Sequence, residues 1–88
     1  MRTKKFDNSG YITDSNDPTL YKVRLTLDDE DDTLTIYDND LGGDDDTEIA
    51  FLDQTNPTID FGVKGQRCFK GLYAELLGDG SFYATWED

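Results

Sequence analysis

Residues 33–53 read TLTIYDNDLGGDDDTEIAFLD, two short apolar runs on either side of a loop built almost entirely from Asp, Asn and Gly. The runs 34–37 and 49–52 are rich in Thr, Ile, Tyr and Phe, side chains that suit a pleated, half-buried surface. In the first, Leu34 and Ile36 fall on one face, and Thr33, Thr35 and Tyr37 on the other. In the second, Ile49 and Phe51 oppose Ala50 and Leu52, which predicts at least one strand covered on both sides. The stretch reads as strand, long acidic loop, strand.

Upstream, residues 20–27 (LYKVRLTL) give the cleanest alternation in the chain. Tyr21, Val23, Leu25 and Leu27 point one way; Lys22, Arg24 and Thr26 point the other, toward solvent or a partner. Asp28, Asp29, Glu30, Asp31 and Asp32 follow, and five like charges in a row read as a solvated hairpin tip. Residues 11–13 form a short strand between Asx- and Gly-bearing turn clusters at 7–10 and 14–18. Downstream, residues 58–64 alternate Ile59, Phe61 and Val63 on one face.

Residues 65–77 admit two readings. Phe69, Leu72, Tyr73, Leu76 and Leu77 match helical spacing, with Gly78 as a C-cap. Gly71 inside the run and the turn Gly78-Asp79-Gly80-Ser81 favour instead a strand over 71–77, paired as a hairpin with 81–86. The sum is an all-β chain of about six to eight short antiparallel strands in a small β-sandwich or barrel. Residues 1–88 form one domain, and residues 1–5 read as a basic N-terminal arm whose removal should leave the domain folded.

Charge sets the surface. Twenty acids face eight bases, for a net charge of −12, and residues 25–63 carry thirteen acids and no base. Residues 1–24 carry five bases against three acids. This balance argues against direct nucleic-acid binding, which needs clustered Lys and Arg, and against an anionic membrane surface. It suits a basic protein partner, a cation, mimicry of a phosphate backbone, or hydration in a salty setting. No apolar run approaches the roughly 18 residues of a membrane helix, and none follows MRTKKF as a leader would require. The expectation is a chain made without export.

Catalytic and metal chemistry find little to use. Histidine is absent and Cys68 is the only cysteine, so the sequence offers no intrachain disulfide, cysteine zinc cluster or histidine base. Ser9, Ser15 and Ser81 have no triad partner. With Asp38 first in a calcium loop, Asp40 and Gly43 fit the third and sixth positions. Gly42 then stands fifth and Ile49 twelfth, where a bidentate Glu is required; Glu48 comes one residue early. The expectation is a non-enzyme with no metal and no cofactor. The paired-carboxylate and thiol routes are equally unpromising, since Cys68 suits a packed small residue.

Four pieces occur in order: Leu34-Thr35-Ile36-Tyr37-Asp38-Asn39, Thr47-Glu48-Ile49-Ala50-Phe51-Leu52, Gly71-Leu72-Tyr73-Ala74-Glu75-Leu76 and Phe82-Tyr83-Ala84-Thr85-Trp86. Together they resemble short all-β accessory proteins found among tailed-phage structural genes. The resemblance implies a virion structural protein, a capsid decoration or cement protein that binds neighbouring capsid subunits. On that reading Arg2, Lys4 and Lys5 of the arm, with whichever of Tyr83 and Trp86 faces outward, are the partner-binding residues. The acidic surface of Asp28, Asp29, Glu30, Asp31, Asp32, Asp44, Asp45 and Asp46 departs from the pattern. It supports an alternative: an acidic DNA mimic inhibiting a host defence nuclease, of anti-restriction or anti-CRISPR type, in the host cytoplasm. Free in solution the chain is expected as a monomer or weak oligomer, ordered into a multimer only on its scaffold.

Overall fold

The computed structural model describes residues 1–13, 17–39 and 47–88. The described residues form nine strands and no helix: β1 (Arg2–Phe6), β2 (Gly10–Thr13), β3 (Thr19–Thr26), β4 (Thr33–Tyr37), β5 (Glu48–Leu52), β6 (Thr58–Asp60), β7 (Gln66–Arg67), β8 (Leu72–Leu77) and β9 (Ser81–Glu87). One sheet runs β1-β9-β3-β6, with β7 also on β3; the other runs β2-β8-β4-β5. All pairings are antiparallel. The fold is a small β-sandwich.

Alternation is regular on the last two strands. On β9, Phe82, Ala84 and Trp86 are buried while Tyr83 and Glu87 are exposed. On β8, Leu72, Ala74 and Leu76 point inward, so 72–77 is a strand and the helical spacing of its apolar residues is coincidental. The core joins these to Leu20, Val23, Leu25, Leu34, Ile36 and Leu52 from both sheets. β4 is the strand buried on both faces, from Leu34 to Tyr37; the 49–52 run, from which such a strand was expected, buries Ala50 and Leu52 but leaves Phe51 exposed. The edge strand β1 helps close the core: its Phe6 stacks on Phe82 of the neighbouring β9 with ring centroids 5.0 Å apart.

Four expectations are overturned. The 78–81 turn does not close a hairpin, because β8 and β9 belong to different sheets. The 28–32 run is likewise an inter-sheet crossing from β3 to β4 and no hairpin tip. Six of the eight connections change sheet in this way, and a local turn signal cannot tell a hairpin from a corner. Residues 2–5 are no free arm: β1 pairs along β9 from Arg2↔Trp86 to Phe6↔Phe82. Alternating charged residues are compatible with an edge strand, where they deter further strand addition. Last, β6 stops at Asp60, and Val63 stands 98% exposed on the following turn instead of facing the core. The 38–47 connection of β4 to β5 is the expected hairpin, but its residues 40–46, with Asp44, Asp45 and Asp46, lie outside the described residues, as do 14–16.

Candidate functional site: the outer face of the β1-β9-β3-β6 sheet

Register builds this face. Lys5 pairs with Tyr83 and Tyr83 with Arg24; Thr3 pairs with Thr85, and Thr85 with Lys22. The same alternation that sends Phe82, Ala84, Val23 and Leu25 inward therefore sends two Lys, one Arg, one Tyr and two Thr outward. A bulge between Leu20 and Lys22 sets this phase and leaves Tyr21 half-buried, off the inward row that simple alternation assigns it. Thr3, Lys22, Arg24, Tyr83 and Thr85 line a shallow hollow of about 230 Å³.

Within it, the Arg24 guanidinium lies over the Tyr83 ring, 5.3 Å from its centroid. That distance is within the reach of a cation–π attraction, which fixes both side chains. Thr3 Oγ1 and Thr85 Oγ1 share a hydrogen bond of 2.9 Å. Among the described residues the ion pairs are Arg2–Asp88 (3.5 Å), Lys5–Asp7 (3.7 Å) and Arg67–Asp17 (3.9 Å). Lys22 and Arg24 belong to none of them. Exposed pairs of this kind contribute little to stability; Lys4, Lys64 and Lys70 form none either, and what distinguishes Lys22 and Arg24 is that they pair with Thr85 and Tyr83 on one sheet face.

The structure separates the five residues expected to bind a partner. Arg2, Lys4 and Lys5 are exposed on β1; Lys5 and Tyr83 share the outer face, while Arg2 and Lys4 fall on the opposite side of the strand, Lys4 5.4 Å from the Phe6 ring. Tyr83 is the outward aromatic. Trp86 is not, being 3% exposed in the core, with an indole N–H that donates to no acceptor among the described residues. Lys22 and Arg24 were missing from the expected set although their outward position was legible in the alternation of 20–27.

The acidic corner proves to be two things at once. Asp28, Asp29, Glu30 and Asp31 are exposed, but Asp32 is 2% exposed. Its Oδ2 accepts the backbone N–H of Asp28 at 2.8 Å and of Asp29 at 3.1 Å. Hydrogen bonds from those two amides, and then from the Asp79 and Gly80 amides, hold its carboxyl below the usual range against an opposing effect of burial. One carboxylate thus ties the β3–β4 crossing to the β8–β9 crossing. Asp38 does the same at the other end of β4, accepting from Phe69 N at 3.0 Å and Lys70 N at 2.9 Å.

Cys68 is fully buried, and burial followed by the nearby Asp38 charge pushes its thiol up to about 12. It is a packing residue and stays protonated at neutral pH. Among the described residues no three Asp, Glu, Cys or His side chains cluster as a metal site, and no helix is long and apolar enough to cross a membrane. Comparison with protein-family models, curated proteins and solved structures finds no match to the chain.

Proposed function

We propose that this chain is a non-enzymatic binding subunit, a virion accessory protein of the decoration or cement type that docks on neighbouring structural subunits. The observation that carries this reading is the surface division. In a chain of net charge −12, Lys22, Arg24 and Tyr83 share one sheet face, while the exposed carboxylates of 28–31 follow past the end of β3. The phage-type motif resemblance supports it as well: Tyr37-Asp38 and 71–76 fall on β4, its closing turn and β8, the parts that fix the second sheet. A decoration subunit works in many copies, so modest affinity per site is enough. The expected chemistry is docking, with a virion location and no cofactor.

The four exposed carboxylates at Asp28, Asp29, Glu30 and Asp31 favour the second reading, an acidic mimic of a nucleic-acid backbone that blocks a host nuclease. A mass-spectrometric inventory of purified particles separates the two. Stoichiometric presence in many copies supports the accessory subunit; absence, with inhibition of a defence nuclease by the purified chain, replaces it with the mimic.

A further inference from the structure

We infer that the outer face of the β1-β9-β3-β6 sheet, together with the Val63 turn, is the docking surface, and that its occupant is an acidic polypeptide segment carrying apolar side chains. This deepens the reading of the chain as a binding subunit and rests on it.

The hollow at Tyr83 is continuous with a second one of about 510 Å³, lined by Met1, Tyr21, Lys22, Asp60, Gly62, Val63 and Thr85. Lys22 and Thr85 border both. At the far end Val63 is 98% exposed and Met1 73% exposed. A fully exposed valine often means little, but this one sits on a fixed turn. Gly62 N donates to Asp60 Oδ1 at 2.8 Å and Gly65 N to Gly62 O at 3.2 Å. Gly65, at φ 70°, packs so closely that a Cβ there would come within 2.5 Å of Thr19 Cγ2 and 2.9 Å of the Tyr21 ring. The turn is pinned to β3, and it holds an apolar knob in the same hollow as Lys22.

Charge and shape choose the occupant. Lys22 and Arg24 lack a carboxylate partner among the described residues, and Asp60, opposite Lys22, spends an oxygen on Gly62 N–H. The surface therefore calls for carboxylates at Lys22 and Arg24 and apolar groups against Val63 and Met1. Tyr and Arg at its centre are the side chains most often found as interface anchors. A nucleic-acid strand fits less well. Arg24 already covers the Tyr83 ring, which denies a base its stacking platform, and the apolar knob has no counterpart on a phosphate backbone. A second copy fits less well too, since it brings a further −12 against this chain's own, whereas a short acidic segment brings only a few charges and so a weaker long-range repulsion. That same long-range repulsion makes the expected binding strongest at moderate salt, where distant charges are screened and the contact pairs persist.

The test is an amide-resolved NMR titration of the full chain with a short synthetic peptide alternating Glu and Leu. Parallel titrations use a Lys–Leu peptide and an oligothymidylate, and a dilution series of the chain alone reports on self-association. Saturable shifts confined to Lys22, Arg24, Val63, Tyr83 and Thr85, weakened about tenfold or more by Lys22→Glu with Arg24→Glu, support the proposal. A folded-state spectrum of that variant excludes loss by unfolding. No response to the Glu–Leu peptide, a response elsewhere, equal binding of the Lys–Leu peptide, tighter oligothymidylate binding at this face, or dilution-dependent shifts in place of peptide binding each overturn it. The titration can fail while the chain is still found in particles, and the reverse, so the two readings fall separately.

Discussion

The acidic corner at residues 28–32 and the basic face around Tyr83 are both clusters of charge on β3 and its continuation, yet they do opposite things. At the corner, the decisive charge is turned inward: Asp32 is buried and saturated with backbone N–H groups. On the face, Lys22 and Arg24 stand outward and belong to no ion pair among the described residues. The difference teaches that a charge cluster is read by what its groups already hold. A carboxylate encircled by turn amides is part of the fold, whereas an unpaired cation on a flat sheet is available to a partner.

The largest effect should come from Gly78→Ala. Gly78 has φ 106°, and a Cβ there would run into the Asp32 carboxylate. Backbone strain at this positive φ should cost about 1–3 kcal/mol, and displacement of the Asp32 carboxylate adds to it, read by chemical denaturation. Full stability in this variant would mean that the crossings are not tied through Asp32.

Next comes acid. Because the folded-state pKa of Asp32 is depressed, its contribution is fully present above the ordinary carboxylate value of 3.8. It is lost as pH falls through the lowered folded value. Asp32→Asn should lower stability at neutral pH and flatten the acid limb of the stability curve. Asp28→Asn with Asp31→Asn should leave both nearly unchanged, as those carboxylates are exposed. Equal responses from the two variants would erase the distinction drawn within the corner.

The smallest stability effect belongs to the other region. Lys22→Glu with Arg24→Glu should move the thermal midpoint by no more than about 2 °C, the scale of a surface change, while removing docking. The reverse experiment sharpens the contrast: neutralising Asp28, Asp29 and Asp31 should leave docking within about threefold, since these carboxylates lie past the end of β3, pair with neither Lys22 nor Arg24, and are screened by salt at longer range. Removal of residues 1–5, by contrast, strips β1 from β9 and should destabilise the domain, so it cannot serve as a clean binding variant.

Much of this fold was legible because period-two apolar rows mark its strands: Val23 and Leu25 on β3, Leu34 and Ile36 on β4, and Phe82, Ala84 and Trp86 on β9 are all buried. What stayed hidden was non-local. Whether Gly78–Gly80 closes a hairpin or turns a corner depends on where β2, β4, β1 and β3 lie, and no local signal carries that. Asp32 looked like its four neighbours, because what sets it apart is the path of the crossing, which turns the Asp28 and Asp29 amides onto its carboxylate and brings those of the β8–β9 crossing against it. The arm was misread because Lys and Arg on an edge strand leave the same composition as a tail. The site was half visible: the outward Lys22 and Arg24 followed from period two, but Val63 fell in phase with Ile59 and Phe61, and only the tight packing at Gly65 ends β6 early enough to expose it.

The most direct measurement is the acetylation rate of individual lysines, quantified by mass spectrometry, on the free chain and on the chain in purified particles. Lys70, exposed on the turn before β8, serves as the internal reference. The account predicts that Lys22 is slowed about tenfold or more in the particle while Lys70 is unaffected, as burial in an interface requires. Equal rates at Lys22 in the two states, or protection at Lys70 instead, would contradict it.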